Sequence, residues 1–156
     1  MAKIRLVFAD KEGGFREGLA RLLENEPTVE LVCICGTGLE AVDSAYKHRP
    51  DVVLIDLRLS ECSSVEAIQR IHEGLPKTNI IVLTHPEADD DLVSAARAGA
   101  KAYISKDISI ETLVKAITLV ADGGGRYIRS DGNKTAGRIW LIRGEQGCRE
   151  VVCSPE

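Results

Sequence analysis

The chain has 156 residues, with 20 Lys+Arg against 24 Asp+Glu, a formal charge of −4, 44% apolar and 28% charged residues. That balance excludes a disordered, collagen-like or disulfide-scaffold chain and suits one domain with a short appendage. Neither residues 122–156, with six basic and five acidic groups, nor residues 1–121, with 14 and 19, carry the clustered positive charge that nucleic-acid binding needs, and no apolar run approaches the roughly 20 residues of a membrane span.

Residues 1–8 run into Asp10 without a small-residue cleavage site, which argues against a secretory signal and makes the cytoplasm the expected compartment. Lys3–Ala9 reads as a first strand, followed by a helix with Phe15, Leu19, Leu22 and Leu23 on one face. Val29–Cys35 reads as a second strand, with Leu39, Val42 and Tyr46 marking the next helix. Val52–Leu57, Asn79–Leu83 and Ala102–Ser105 read as three more strands. The helices after them are marked by Val65/Ile68/Ile71, by Leu92/Val93/Ala96, and by Ile110/Leu113/Val114/Ile117/Val120. Gly99 is placed to end the fourth helix, and Ser109 to cap the fifth. Strands apolar at nearly every position must be covered on both faces, so five β-α units predict an α/β, flavodoxin-like, doubly wound parallel sheet of order 2-1-3-4-5. The glycine run at Gly123–Gly125 ends the pattern. Residues 1–122 are expected to form the domain and 123–156 a linker or tail with a possible short hairpin, built from Arg138–Ile142 and Cys148–Cys153 around Gly144–Gly147.

Sites in such sheets form beyond the carboxyl ends of the strands, at the point where strand order reverses. The residues at those ends are Asp10, Asp56, Thr84 and Lys106. Two carboxylates facing each other across the first and third strands repel unless a cation joins them, and a hard ion such as Mg²⁺, which binds one or two carboxylates plus a phosphate, is the natural neutraliser. Asp56 is then a candidate phosphoryl acceptor, with Lys106 offsetting charge on the transferring oxygens and Thr84 hydrogen-bonding one of them.

Over residues 3–121 the chain resembles the receiver domains of two-component response regulators. The resemblance rests on Leu6-Val-Phe-Ala-Asp10, Phe15-Arg-Glu-Gly-Leu19, Asp51-Val-Val-Leu-Ile-Asp56-Leu-Arg58, Ile80–Thr84 and Ala98-Gly-Ala-Lys-Ala-Tyr-Ile-Ser-Lys106-Asp107. Lys106-Asp107 and Gly124-Gly-Arg-Tyr127 are similar to the subfamily joined to LuxR-type helix-turn-helix domains. The resemblance implies a phosphorylation switch rather than an enzyme. A sensor histidine kinase is the implied donor, Asp56 the phosphoacceptor, and Thr84 and Tyr103 the switch residues. Mg²⁺ is implied on Asp10, Asp56 and the backbone carbonyl of Arg58. The face of the fourth helix, fifth strand and fifth helix would report the change and offer a homodimer surface. Transcription would be regulated through an output domain missing or separate from this chain, whose tail is too short for a roughly 60-residue helix-turn-helix domain, so direct DNA binding is not expected.

Several departures bear on this reading. Lys11 stands where the family has a second acidic residue and a direct metal ligand, which should weaken metal binding, and Glu12 is the residue that could compensate. Leu59-Ser-Glu-Cys-Ser-Ser64 lacks the family's Asp-Gly turn, so local strain or another loop path is expected, and His85-Pro86 stands where a small residue is usual. Two readings stay open: a working receiver with altered metal chemistry, or a degenerate one that signals by protein contacts alone. Hydrolases of the haloacid-dehalogenase type want a second Asp two residues after the nucleophile, where this chain has Arg58. A flavin-phosphate loop would need hydroxyls that Lys11–Gly14 lacks, and no Gly-x-x-x-x-Gly-Lys nucleotide loop occurs. The five cysteines read as free thiols, with Cys33 and Cys35 on one strand face and no ligand spacing that suggests zinc. His48 and His72 fall near helix ends, as surface residues.

Overall fold

The computed structural model describes residues 3–84, 92–122, 139–143 and 150–153. In chain order the elements are β1 (Ile4–Ala9), α1 (Gly13–Glu24), β2 (Val29–Cys35), α2 (Gly38–His48), β3 (Val52–Asp56), α3 (Ser64–Gly74), β4 (Asn79–Thr84), α4 (Leu92–Ala98), β5 (Ala102–Ser105), α5 (Ile110–Ala121), β6 (Ile139–Arg143) and β7 (Glu150–Cys153). The first five strands are parallel in the order β2-β1-β3-β4-β5, as the alternating pattern predicts. Among the described residues the sheet has seven strands, the five parallel ones that the pattern predicts and two antiparallel ones added beyond β5. The apolar runs of the tail form β6, antiparallel to β5 with Tyr103 opposite Trp140, and β7, antiparallel to β6. The physical reason is that β5 would otherwise end the sheet with a row of unpaired backbone groups, which an antiparallel strand satisfies. The connections at 123–138 and 144–149, including Cys148, lie outside the described residues, as do His85 and Pro86.

Side-chain alternation splits the core in two. Val7, Val53, Ile55, Ile80, Val82 and Tyr103 pack with Ala41, Val42, Ala45, Ala67, Ile68 and Ile71 on one side of the sheet. On the other, Leu6, Phe8, Leu54, Ile81, Leu83 and Ile104 pack with Leu23, Leu113, Ile117 and Val120. Each large side chain so buried contributes about 1.5–3 kcal/mol. The stripe expected on α2 is corrected: Leu39 and Tyr46 are exposed, and Ala41, Val42 and Ala45 do the packing. α2 sits close against β1, β2 and α3, where small side chains fit, while the Tyr46 hydroxyl donates to the Arg70 carbonyl at 2.7 Å. Leu22 is likewise exposed on α1. The stripe expected on α4 rests on Leu92, Val93 and Ala96, whose side chains lie outside the described set.

Caps set the helix starts that flank the site. Thr37, Ser63 and Ser109 each accept from a backbone N–H three residues on, satisfying one orphan donor of α2, α3 and α5. Gly99 follows α4 at φ +125°, and a Cβ there would stand 2.5 Å from the His72 ring. No helix among the described residues is long and apolar enough to cross a membrane.

Candidate functional site

β1 carries the chain to Asp10, which is fully buried. Its backbone N–H donates to the Cys35 carbonyl at 3.0 Å, extending the β1–β2 ladder by one bond. Arg16 Nη1 donates to the Asp10 carbonyl at 2.7 Å, and the Glu12 N–H donates to Asp10 Oδ1 at 2.8 Å. The start of α1 is thereby folded back over the strand end, which points the Asp10 carboxylate inward.

Asp56 is the last residue of β3 and is 3% exposed. Two residues beyond it the Arg58 N–H donates to Oδ1 at 3.3 Å. Ser64, at the start of α3, donates its hydroxyl to the Asp56 carbonyl at 2.7 Å and accepts from the Leu59 N–H at 3.1 Å. That buried hydroxyl closes the loop where a glycine turn is missing. The strain expected from the missing glycine is present: Glu61 adopts φ +65°.

β4 ends at the buried Thr84, whose carbonyl accepts from the Lys106 N–H at 2.8 Å. Thr84 stands opposite Ser105, and Val82 opposite Tyr103. By strand alternation Thr84 and Tyr103 lie on the same face of the sheet, and Tyr103 is 1% exposed within that side's core. Lys106 leaves the end of β5 with its side chain 3% exposed. Its Nζ stands 2.9 Å from Asp10 Oδ2, 3.5 Å from Asp56 Oδ1 and 3.8 Å from Glu12 Oε1, and 4.7 Å above the centre of the Phe15 ring.

Asp10, Asp56 and Lys106, 96 positions apart at the extremes, therefore meet in one buried pocket, with Glu12 at its rim. One ammonium faces two buried carboxylates. Burial first, and then the neighbouring Asp10 charge, raise the Asp56 carboxyl above its ordinary value, while Lys106 and the Arg58 N–H act the other way. Asp10 Oδ2 and Lys106 Nζ are close but misaligned for a hydrogen bond. Asp56 Oδ2, also buried, accepts none among the described residues. Lys11 is exposed at the surface.

Among the described residues no group of three or more His, Cys, Asp or Glu side chains is placed to hold a metal ion. Mg²⁺ needs less from protein, since it keeps several waters and takes one or two carboxylates plus a phosphate. Asp10 Oδ2 and Asp56 Oδ2, unsatisfied in a pocket with excess negative charge, fit that smaller demand.

The sequence reading missed Ser64, Arg16 and Phe15, which brace the three charged residues. Ser64 and Ser63 are neighbours and both read as generic helix-start residues. Phe15 and Arg16 read as part of the first helix and of the family resemblance, and neither pattern says that they reach the strand ends.

This fold and pocket define a receiver module, and sequence comparison agrees: residues 6–118 match the response regulator receiver domain family, and the chain belongs to it. Among its relatives are the transcriptional regulatory protein DegU of Brevibacillus brevis, 32% identical over 122 residues, and LnrK of Bacillus subtilis, 33% identical over 121. Both alignments cover 78% of this chain, and 52% and 55% of those proteins, so the chain spans about half the length of the relatives it matches. The receiver domain of a NarL response regulator from Mycobacterium tuberculosis superposes with a TM-score of 0.75 at 26% identity, covering 81% of this chain and all of that one. A LuxR-family response regulator from Aurantimonas superposes at 0.72 and 28% identity, covering 79% and 88%. Receiver domains are phosphorylated by sensor histidine kinases and generally bind Mg²⁺ at their acidic site.

Proposed function

We propose that this chain is a phosphoacceptor that relays a signal from a sensor histidine kinase through Asp56. An Asp56 oxygen attacks the phosphorus of a phosphohistidine, the P–N bond breaks, and the imidazole leaves and takes up a proton. Lys106, held by Asp10, stays beside the acceptor as a fixed positive charge for the incoming phosphoryl oxygens. Thr84 supplies a hydroxyl at the next strand end, and Tyr103, on the same sheet face, carries the change toward α4. Bound Mg²⁺ would add charge neutralisation, held by Asp10, Asp56 and the Arg58 carbonyl, with Glu12 close by. Lys11 removes one carboxylate from that set, so a weaker metal requirement is part of this reading.

The observation that carries it is the buried Asp56 carboxylate, whose Oδ1 stands 3.5 Å from the Lys106 ammonium and whose Oδ2 has no hydrogen-bond partner among the described residues. Residues 1–122 are the receiver and 123–156 an added segment, in a cytoplasmic protein that acts on transcription through an output domain outside this sequence. Any homodimer through α4, β5 and α5 must form with β6 already paired along β5. Incubation with a small-molecule phosphodonor, with and without Mg²⁺, followed by intact mass, tests the reading. One phosphoryl gained by the protein and lost in Asp56→Asn supports it. No gain under any condition favours a receiver that signals by contacts alone.

A further inference from the structure

Outside the acidic pocket, one group of nucleophilic side chains has no part in this chemistry. Cys33 and Cys35 lie on β2, facing α2. Their Sγ atoms are 3.9 Å apart, and both touch Ser44 Oγ, at 3.3 and 3.2 Å. The thiols are free, Cys33 half-buried and Cys35 buried. β2 is an outer strand of the sheet, and its pairing with β1 slips beside the pair: Leu31 faces Leu6 while Cys33 faces Val7, leaving Val32 as a bulge. A bulge re-aims the following side chains and leaves a strand freer to bend.

We propose that Cys33 and Cys35 form an oxidisable dithiol that closes to a disulfide under hydroperoxide and loosens the backbone bond holding Asp10. Cys33, the more accessible, attacks the peroxide oxygen, the O–O bond breaks, and water leaves after protonation, giving a sulfenic acid on Cys33. The Cys35 sulfur then attacks the Cys33 sulfur and expels hydroxide, which takes the Cys35 proton. Two thiols lose two electrons, and one hydroperoxide is reduced (hydrogen peroxide to two waters). Burial pushes the Cys35 thiol up to about 12, so it waits as the resolving partner rather than reacting first.

Two residues of strand advance about 6.4–6.8 Å, and disulfide-linked Cα atoms are usually about 4.4–6.8 Å apart. Closure is therefore reachable only at the upper limit of separation and draws β2 inward at Ile34. A strained bond of this kind is easily reduced, as a reversible modification requires. The link to the pocket is short, because the Cys35 carbonyl accepts the Asp10 N–H.

The test uses the full chain. After graded hydrogen peroxide, free thiols are alkylated and the protein is digested at Arg21 and Lys47, which puts both cysteines in one peptide and Cys62 in another. The expected product is peptide 22–47, unalkylated, lighter by two hydrogens and restored by reductant. Cys35→Ser should instead accumulate a trappable sulfenic acid at Cys33. In the oxidised protein amide exchange at Asp10 should rise about fivefold, the loss of one backbone hydrogen bond. A bond from Cys33 to Cys62, two alkylated thiols after peroxide, or a closed 33–35 bond with unchanged Asp10 exchange overturns the proposal. None of these readouts depends on phosphorylation of Asp56.

Discussion

Asp56→Asn should make the protein more stable at neutral pH. The wild-type carboxylate is 3% exposed, shares its pocket with the fully buried Asp10, and leaves Oδ2 without a hydrogen bond among the described residues. An unsatisfied buried polar group costs about 1–3 kcal/mol. The amide removes one negative charge and offers donors that Asp10 Oδ2 can use, while the Lys106 attraction to position 56 is lost. The net gain is about 1–2 kcal/mol, or roughly 2–8 °C in Tm for a chain of this size. The sign depends on pH. Burial and Asp10 raise the Asp56 carboxyl in the folded state, so its contribution is fully present below the ordinary value of 3.8 and is lost as pH rises through the raised value. The variant has no such loss, so the gap between the two proteins opens above the ordinary carboxylate range and closes toward about pH 3. Calorimetry of both proteins across that range measures it. A variant less stable at pH 7, or a gap as wide at pH 3 as at pH 7, refutes the electrostatic reasoning.

Lys106→Met leaves both buried carboxylates without their ammonium and should cost about 3–5 kcal/mol at neutral pH in urea unfolding, with the cost shrinking once the carboxylates protonate. Glu61→Gly should gain about 0.5–1 kcal/mol by the same measurement, since φ +65° suits glycine. Leu141→Pro removes a ladder position from β6 and should speed hydrogen exchange at Ala102–Ile104 while leaving β1 protected, as β6 pairs with β5 and β7 and not with β1. Equal exchange on β5 in both proteins would count against the pairing.

Most of the sheet was legible because its strands are apolar on both faces. Val52–Ile55 and Ile80–Leu83 announce a covered parallel sheet, and the strand-end rule then selects Asp10, Asp56, Thr84 and Lys106 without any contact being known. The pairing of β6 with β5 was not legible, because a tail segment's apolar run shows that it can be a strand and says nothing about which edge it joins. α2 was misread for a related reason. Large apolar residues dominate a pattern search, yet the close approach of α2 to its neighbours favours Ala41 and Ala45 and leaves Leu39 and Tyr46 outside. Around the site, charged groups at strand ends were visible and their braces were not. Ser64 acts through a carbonyl and an amide eight and five positions away, which no spacing rule encodes. The turn without glycine was a usable signal, and the structure resolves it as positive φ at Glu61 rather than as a rerouted loop.

The central claim is that Asp56, and no other carboxylate, takes the phosphoryl group. An acyl phosphate is reduced by borohydride to the alcohol, which turns a phosphorylated aspartate into homoserine at its own position. The protein is treated with a small-molecule phosphodonor, reduced, and sequenced by fragmentation. The account predicts homoserine at position 56 alone. Homoserine at Asp10 or Asp51, or none in a protein shown to carry the phosphoryl group, would contradict it.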